Sequence, residues 1–268
     1  MFLEEVASYA NFYKDGFFGY GEPGDFTYFS FWHFLPIIIL ISSIILTYIY
    51  KDKIKANPKE KYIRFILAFI LMVVAMSYDW RVLYTGNPGK SDLLSHLPLQ
   101  VCTWSSFIVV FMLVTDLKWL FDYAVYVCLT LGMVPLVTPA VISTTGPMYY
   151  RYYQFFIEHM IPIYSVFYMI FIKDYRISLK RIWVPVVIIF IGALISIGLN
   201  GQIEGANFFF LGMETEGPSL ANVMPNNPWL KMLIYGSLGF LAFLALYGVF
   251  YSVDYLKQKR EKVVLKRA

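Results

Sequence analysis

Seven apolar stretches run through this chain, and each is long enough to cross a lipid bilayer. The hydrocarbon core of a bilayer takes about 20 apolar residues per helix. Hydrophobic residues make up 59% of the sequence and charged residues only 15%, whereas a soluble domain has about 25% charged residues. Backbone polar groups in lipid must be satisfied within their own segment, which favours helices. We therefore predict an all-α membrane protein, a single-domain bundle of seven transmembrane helices. The approximate ranges are 31–50, 63–84, 97–115, 119–137, 150–172, 183–199 and 229–252.

Positive charge alternates between the joints of these stretches and predicts their orientation. The first, third and fifth joints and the C-terminal tail are basic. Their residues are Lys51, Lys53, Lys55, Lys59, Lys61, Arg64, Lys118, Lys173, Arg176, Lys180, Arg181, Lys257, Lys259, Arg260, Lys262, Lys266 and Arg267. Lysine and arginine concentrate on the cytoplasmic side of membrane proteins, so we expect the N-terminus outside and the C-terminus inside. Anionic lipid at that surface accounts for the basic residues, and no nucleic-acid partner is expected.

Three segments outside the spans complete the domain at residues 1–268. Residues 1–30 are rich in aromatic residues and glycine, which favours a position at the outer headgroup layer. Residues 200–228 contain no lysine or arginine but include a run of three phenylalanines and a leucine. Because this outer loop is too apolar to be fully solvated, we expect it to fold back over the bundle. Residues 253–268 form a basic cytoplasmic tail.

Titratable side chains inside the spans lie almost entirely in the predicted outer halves. Such groups are costly in a membrane and mark candidate functional sites. They are His33, Asp79, Arg81, His96, Cys102, Glu158 and His159. Glu158 and His159 are expected about 12 Å below the outer end of their span, at a rise of about 1.5 Å per residue. The pattern predicts a site that opens to the outer leaflet.

Cys102 and His159 are the pair that we single out as candidate catalytic residues. Ser105 and Ser106 follow Cys102 at the i+3 and i+4 positions, and this polar stripe is expected to face protein rather than lipid. Pro162 follows His159 by three residues and predicts a kink at the depth of the site. A thiol needs a base to become a strong nucleophile at neutral pH, and imidazole is the usual base.

The same residues also have plain structural interpretations. A cysteine within a span is most often a small packing residue, and Cys128, in the middle of its stretch, is expected to be one. A backbone or tyrosine partner can satisfy His159, and lipid headgroups or solvent can satisfy His96. Glu158 can pair with Arg151, seven residues earlier on the same helix.

Blocks spread over most of the chain carry a family resemblance. They are His96-Leu97-Pro98-Leu99-Gln100-Val101-Cys102, Phe155-Phe156-Ile157-Glu158-His159 and Asn207-Phe208-Phe209-Phe210-Leu211, followed by Pro218-Ser219 and Pro228-Trp229. In this order they resemble the bacterial YwaF family of integral membrane proteins, which is related to the animal transmembrane protein 164. The resemblance implies an acyltransferase-type reaction on phospholipids, with Cys102 and His159 as the catalytic pair. It also implies a multi-pass protein of the cell membrane, here the bacterial plasma membrane.

The mechanism that we expect is covalent. His159 withdraws the proton of Cys102, and the thiolate attacks an acyl ester of a phospholipid to form an acyl-thioester. A lysophospholipid hydroxyl or water then accepts the acyl group, so phospholipids and lysophospholipids are the expected partners and no cofactor or metal is required. Residues that are candidates for contact with the substrate, or for donors to the oxyanion, are His33, Trp80, His96, Gln100, Asn200 and Asn207.

Two other functions remain open from the sequence. In the first, the three histidines with Asp79 or Glu158 form a zinc site for lipid hydrolysis, since three protein ligands plus water are usual in catalytic zinc sites. Against it, no HxxxH or HExxH pair places two ligands on one helical face. In the second, the protein binds or transports lipid without chemistry. The sequence shows no internal repeat, which argues against the inverted-repeat carriers.

Overall fold

Helices account for most of the chain in the computed structural model, which describes residues 16–19, 25–85, 97–139, 145–203, 205–212 and 224–265. Within these ranges there are helices and turns but no β-strand, which confirms the predicted all-α class. The α-helices are α1 (Phe31–Ile49), α2 (Lys51–Lys55), α3 (Glu60–Thr85), α4 (Val101–Thr115), α5 (Lys118–Leu129), α6 (Val134–Val137), α7 (Tyr150–Ile172), α8 (Trp183–Asn200) and α9 (Pro228–Leu265). Short 3₁₀ turns lie at Leu131–Met133, Leu179–Arg181 and Phe208–Phe210.

Five segments among the described residues are long and apolar enough to cross a membrane. They are Phe31–Ile49, Glu60–Val82, Tyr150–Ile172, Leu179–Asn200 and Pro228–Lys259. A bent pair, Lys118–Leu129 with Leu131–Val137, adds a sixth if it is counted as one span. α4 is also apolar but has only 15 residues, or about 22 Å at about 1.5 Å per residue, less than the hydrocarbon thickness of about 30 Å. The chain is a multi-pass membrane protein.

The fourth apolar stretch, residues 119–137, is interrupted by a break between α5 and α6. The chain bends there by 45°. Thr130 has φ −118° and ψ −80°, which lie outside the helical region, and its hydroxyl donates to the Tyr126 carbonyl at 2.6 Å. Pro135, in the first turn of α6, has no N–H with which to continue a helical ladder across the break. The predicted apolar stretch is therefore present, but it forms two helical segments instead of one continuous helix.

α7 forms the centre of the bundle. It packs against each of the six helices that precede it in the chain. Of its membrane-crossing window, 61% is buried inside the protein, whereas the other four long helices bury between 11% and 28%. Phe155, Phe156 and Tyr168 are among its fully buried side chains. The helix that carries the candidate base is therefore surrounded largely by protein.

Ion pairs join the helices at the end of the bundle where α2 lies, α3 begins and α7 ends, which we call the basic end. Arg64 is buried, and its guanidinium donates to Glu60 at 3.0 Å and to the Leu113 carbonyl of α4 at 2.6 Å. Lys55 of α2 pairs with Asp174, just after α7, at 2.7 Å. The hydrogen bond from Lys55 holds the pKa of Asp174 below its ordinary value. Arg64 thus ties α3 to α4, and Lys55 ties α2 to the chain just after α7.

The loop after α8 folds back onto the opposite end of the bundle, where α4 and α7 begin, which we call the aromatic end. The buried ring of Phe209 meets the ring of Trp104 on α4 edge to face, with centroids 5.5 Å apart. Both rings lie over Gly192 of α8, where a Cβ would come within 2.6 Å of each. The predicted return of loop 200–228 over the bundle is confirmed for residues 205–212, which we call the return loop.

Candidate functional site

Cys102 is a free cysteine at the second position of α4, at the aromatic end, and the residue is partly exposed. Ser105 and Ser106 are buried one turn further on, as predicted for a stripe that faces protein. Their hydroxyls donate to the carbonyls of Val101 at 2.7 Å and of Cys102 at 3.1 Å. Cys128, in contrast, is buried within the hydrophobic core, in accord with its predicted packing role. Of the two cysteines, Cys102 is the more exposed residue.

His159 is buried in α7 with one ring nitrogen already bonded. Its Nδ1 lies 2.7 Å from the carbonyl oxygen of Phe155, and its ring centroid lies 4.5 Å from that of the Phe155 ring. A carbonyl oxygen can only accept, so in the neutral imidazole Nδ1 carries the proton and Nε2 keeps the lone pair. This is the tautomer that a general base acting through Nε2 requires.

The two candidate catalytic residues lie on helices that pack against each other, α4 and α7. Both helices begin at the aromatic end, so the structure brings Cys102 and the neutral imidazole of His159 to adjoining helices. Direct contact between the Cys102 sulfur and the His159 ring stays a prediction.

A hydrogen-bonded chain runs along α7 next to the candidate histidine. Gln154 donates from Nε2 to Glu158 at 2.6 Å, and Arg151 donates to the Gln154 side-chain oxygen. The Arg151 guanidinium also stacks on the ring of Tyr78 in α3, 4.3 Å from the centroid. The pairing expected between Glu158 and Arg151 thus runs through Gln154, which sequence reasoning did not single out. The available signal was its i−4 spacing from Glu158 on one helical face.

A second polar contact that sequence reasoning missed lies between α4 and α5. Tyr123 is 1% exposed, and its hydroxyl lies 3.1 Å from the Ser105 hydroxyl. Because Ser105 gives its own proton to the Val101 carbonyl, Tyr123 is the donor in this pair. Ser105 lies three residues after Cys102 on α4, so the contact ties α5 to the turn of α4 that follows the candidate nucleophile. A single tyrosine in an apolar run has no spacing signal that would reveal such a role.

Gln100, one of the predicted substrate contacts, holds the return loop to the start of α4. Its Nε2 donates to the carbonyl of Asn207 at 3.0 Å, and its Oε1 accepts the N–H of Phe209 at 3.1 Å. Gln100 precedes Cys102 by two residues. Both hydrogen bonds use loop backbone atoms, so the side chain positions the return loop beside Cys102. Direct contact of Gln100 with substrate stays a prediction.

Asn200 and Asn207, two further predicted substrate contacts, fasten the same loop. Asn200 donates to the carbonyl of Phe208 at 3.0 Å and accepts its N–H at 2.8 Å. The side-chain oxygen of Asn207 accepts the N–H of Gly212 at 2.9 Å. The structure therefore brings Gln100, Asn200 and Asn207 together, and we refer to these three as the amide clamp. The clamp ties the return loop to both α4 and α8.

His33 does not join the amide clamp. It is 1% exposed, its Nδ1 accepts the N–H of Phe29 at 3.0 Å, and its Nε2 lies 2.8 Å from the carbonyl of Leu136. Since Nδ1 accepts, Nε2 carries the proton and donates. Ring contacts with Phe26 and Phe156 surround it, at centroid distances of 5.7 and 6.3 Å. Nε2 thus links α1 to α6, whereas Nδ1 binds the backbone just before α1. Substrate contact by this side chain stays a prediction.

The last two predicted substrate contacts differ in what the structure describes. Trp80 is 49% exposed on α3, at the aromatic end, and His96 lies outside the described residues. Within the described ranges, no group of three or more histidine, cysteine, aspartate or glutamate residues could hold a metal ion. The zinc alternative combines His33, His96 and His159, and the described part of the chain gives it no support.

One family match decides the identification. The model of the TMEM164 family matches residues 28–247, which cover most of the chain. The chain belongs to the TMEM164 family. No curated protein and no solved structure shows a significant match to this TMEM164 family member.

The matched range contains every predicted site residue of this TMEM164 family member. It begins just before α1 and ends within α9, so it includes Cys102, His159 and the amide clamp. It leaves out residues 1–27 and 248–268. The resemblance carried by the sequence blocks is thereby confirmed at the level of the family. The match by itself assigns no reaction, so the chemistry must be argued from the site.

Proposed function

We propose that this TMEM164 family member is a membrane-embedded acyltransferase that acts on phospholipids through Cys102 and His159. The observation that carries the proposal is the hydrogen bond from His159 Nδ1 to the Phe155 carbonyl, which directs the basic lone pair to Nε2. The helix of His159, α7, packs against α4, which carries the partly exposed residue Cys102. A thiol beside an imidazole base is a suitable nucleophile for an ester carbonyl.

The reaction takes place in two balanced steps. In the first, the proton of Cys102 passes to His159 Nε2 while Sγ attacks the ester carbonyl carbon. The ester carbon–oxygen bond then breaks, the departing lysophospholipid oxygen takes the proton from Nε2, and an acyl-thioester remains on Cys102. In the second, an acceptor lysophospholipid hydroxyl, or water, gives its proton to Nε2 and attacks the thioester carbon. The released thiolate takes that proton back, which restores the starting state.

The oxyanion of each tetrahedral intermediate needs hydrogen-bond donors. A side-chain amide has two N–H groups, and the bond from Gln100 to Asn207 uses one of them. The second N–H of Gln100, two residues from the nucleophile, is our candidate donor. The Tyr123 hydroxyl of α5 holds the Ser105 side chain, one turn after Cys102, by a hydrogen bond.

The orientation in the membrane belongs to the same proposal. We propose seven spans, with α4 and the α5–α6 pair each counted as one, in the plasma membrane with the N-terminus outside. The concentration of lysine and arginine at the basic end supports this arrangement. Met148 is 78% exposed at the aromatic end, and Lys180 is exposed at the basic end. In a chain without other cysteines, an impermeant maleimide should label Met148→Cys in intact cells but Lys180→Cys only after lysis; the reverse pattern contradicts the orientation.

Intact-protein mass spectrometry after incubation with phospholipid tests the chemistry. Wild type and Cys128→Ala are expected to gain a fatty-acyl mass that hydroxylamine removes. Cys102→Ala should show no adduct, and His159→Ala should form it at least about 100-fold more slowly, as for loss of a general base. Cys128→Ala is the matched control because it removes the buried cysteine of the core and keeps the candidate nucleophile, Cys102.

Other results of that experiment distinguish the rival functions. Unmodified wild-type protein together with chemically unchanged lipid excludes the acyl-enzyme and favours lipid binding or transport. Altered lipid with the same turnover in Cys102→Ala excludes the thiol as nucleophile. The acyl mass in a successful experiment identifies the chain that the enzyme transfers.

A further inference from the structure

Lys231 is a buried cation at the aromatic end with a single hydrogen-bond partner among the described residues. It lies in the first turn of α9 and is 1% exposed. Its ammonium donates to the carbonyl of Gly212, at the end of the return loop, at 2.6 Å. Within the described ranges no carboxylate forms an ion pair with it. An ammonium has three N–H donors, so one carbonyl leaves most of its hydrogen-bonding capacity unused.

The position of Lys231 makes an unpaired charge especially unfavourable. A buried charge is costly unless it is paired with an opposite charge. The first turn of a helix also carries the positive end of the helix dipole, which disfavours cations and favours anions. Asn227 already caps this turn, since its side-chain oxygen accepts the N–H groups of Trp229 and Leu230 at 3.0 Å each. The ammonium is therefore the part of this turn that still lacks a counter-charge.

The contacts of Lys231 connect it to the candidate active site. Its acceptor, Gly212, is bonded through its own N–H to Asn207 of the amide clamp, and the Asn207 carbonyl accepts from Gln100, two residues before Cys102. A side chain at Gly212 would meet two oxygens of the return loop itself, of Ala206 and Asn207, at 2.9 Å, so the tight fold of the loop next to Lys231 depends on glycine there. Hydrogen bonds thus connect Lys231 to Gln100, two residues before Cys102.

We propose that Lys231 binds a phosphate-type anion, and that in the membrane this anion is the phosphate of the phospholipid substrate. Only the identity of this lipid as a substrate rests on the proposed acyltransferase function. A phosphate oxygen provides the missing counter-charge and accepts the unused N–H donors of the ammonium. Binding the headgroup at Lys231 holds the glycerol ester on the same side of the bundle as Cys102. The site then prefers phospholipids to phosphate-free acyl esters.

Lipid binding measured without turnover tests this site. The Cys102→Ala protein, which cannot form the thioester, is titrated with short-chain dioctanoyl-phosphatidylglycerol and with dioctanoylglycerol. We expect Lys231→Met in that background to weaken phosphatidylglycerol binding by about tenfold to a hundredfold, the usual effect of losing a hydrogen bond to a charged group. Binding of dioctanoylglycerol should not change, and Lys231→Arg should retain most of the phosphatidylglycerol affinity. Lys180→Met, which removes an exposed lysine at the basic end, is the matched control and should match its parent.

Several outcomes overturn the proposal. If the Cys102→Ala protein binds the two lipids with equal affinity, the proposal is wrong. This comparison needs no lysine variant, so it remains decisive if Lys231→Met fails to fold. The sequence between the return loop and α9 contains Glu214 and Glu216. If Glu214→Gln or Glu216→Gln weakens phosphatidylglycerol binding as much as Lys231→Met does, the lysine forms an internal ion pair instead. Inorganic phosphate that competes at the same concentration as the lipid supports the anion site but assigns it to a soluble anion.

The failure of this inference differs from failure of the proposed chemistry. Phosphate-dependent binding that is lost in Lys231→Met, together with no acyl adduct on wild type, retains the anion site and removes the enzyme. An acyl adduct on Cys102 that forms normally in Lys231→Met, with unchanged lipid affinity, retains the enzyme and removes the anion site.

Discussion

Replacement of Gly192 by alanine tests whether the return loop packs on α8 as described. A Cβ at this position would lie 2.6 Å from Cζ of Phe209 and 2.6 Å from Cζ3 of Trp104, whereas carbon atoms in contact lie about 3.5–4.0 Å apart. The two rings must therefore separate. Overpacking of this kind costs about 1–3 kcal/mol, and alanine in a helix gains back about 0.5–1 kcal/mol relative to glycine. We expect a net loss of roughly 1–2 kcal/mol in the free energy of unfolding.

The same substitution six residues later on α8 is the control. Nothing lies within 4 Å of a Cβ at Gly198, so only the gain in helix propensity applies, and Gly198→Ala should melt at the wild-type temperature or slightly above it. Gly192→Ala should melt lower by about 2–8 °C, at about 2–4 °C per kcal/mol for a chain of this size. Both are heated in the same detergent with tryptophan fluorescence as the readout. Identical melting temperatures for the two variants would refute the packing of Phe209 against Trp104 over this helix.

Three further predictions concern the amide clamp, the basic end and the join between α1 and α6. Gln100→Ala removes two hydrogen bonds to the loop backbone and should lower the free energy of unfolding by about 2–4 kcal/mol. The control is Gln202→Ala at an exposed position, which should change this free energy by less than about 0.5 kcal/mol. Denaturant titration compares the two variants, and equal effects contradict the clamp. Lys55 lowers the pKa of Asp174, so their pair stabilises the fold above the ordinary aspartate pKa of about 4 and is lost as the pH falls through the lower folded value. The gap in melting temperature between wild type and Asp174→Asn should therefore close between about pH 5 and pH 2, and a constant gap argues against the pair. His33→Phe removes both ring hydrogen bonds of a buried side chain and should destabilise the protein by about 2–4 kcal/mol, measured as faster proteolysis. Wild-type resistance would show that the join is not stabilising.

The all-helical class and the positions of the long helices could be predicted because lipid leaves a chain few alternatives. Apolar runs of sufficient length must form helices there, and the predicted 150–172 stretch coincides with α7. Helix breaks and helix ends that depend on a single residue could not be predicted from the sequence as well. The break at Thr130 lies within an uninterrupted apolar run, and Pro135 does not by itself specify a bend of 45°. The predicted start of the third span at residue 97 precedes the helix, which begins at Val101.

The candidate site could be predicted only in part, since motifs identify residues but not the neighbours of those residues across helices. Cys102 and Gln100 belong to one sequence block, and the structure places both at the aromatic end. Tyr123 and Lys231 had no motif to identify them, and Gln154 had only its i−4 spacing from Glu158. Their contacts depend on how far each helix is rotated about its own axis, which the average hydrophobicity of a span does not specify. For Lys231 the sequence showed only a basic residue at the start of a span, without its burial.

The central position of α7 has a consequence for how the protein enters the membrane. The helix contains Arg151, Glu158 and His159, and a charged residue near the middle of an inserting helix costs about 2.5–3.5 kcal/mol at the translocon. The helices α1 to α6, all of which it packs against, precede it in the chain. During synthesis they are already present when α7 emerges, so its polar groups can partition into protein rather than lipid. We therefore expect α1 to α6 to stay next to the translocon until α7 has been inserted and has packed against them.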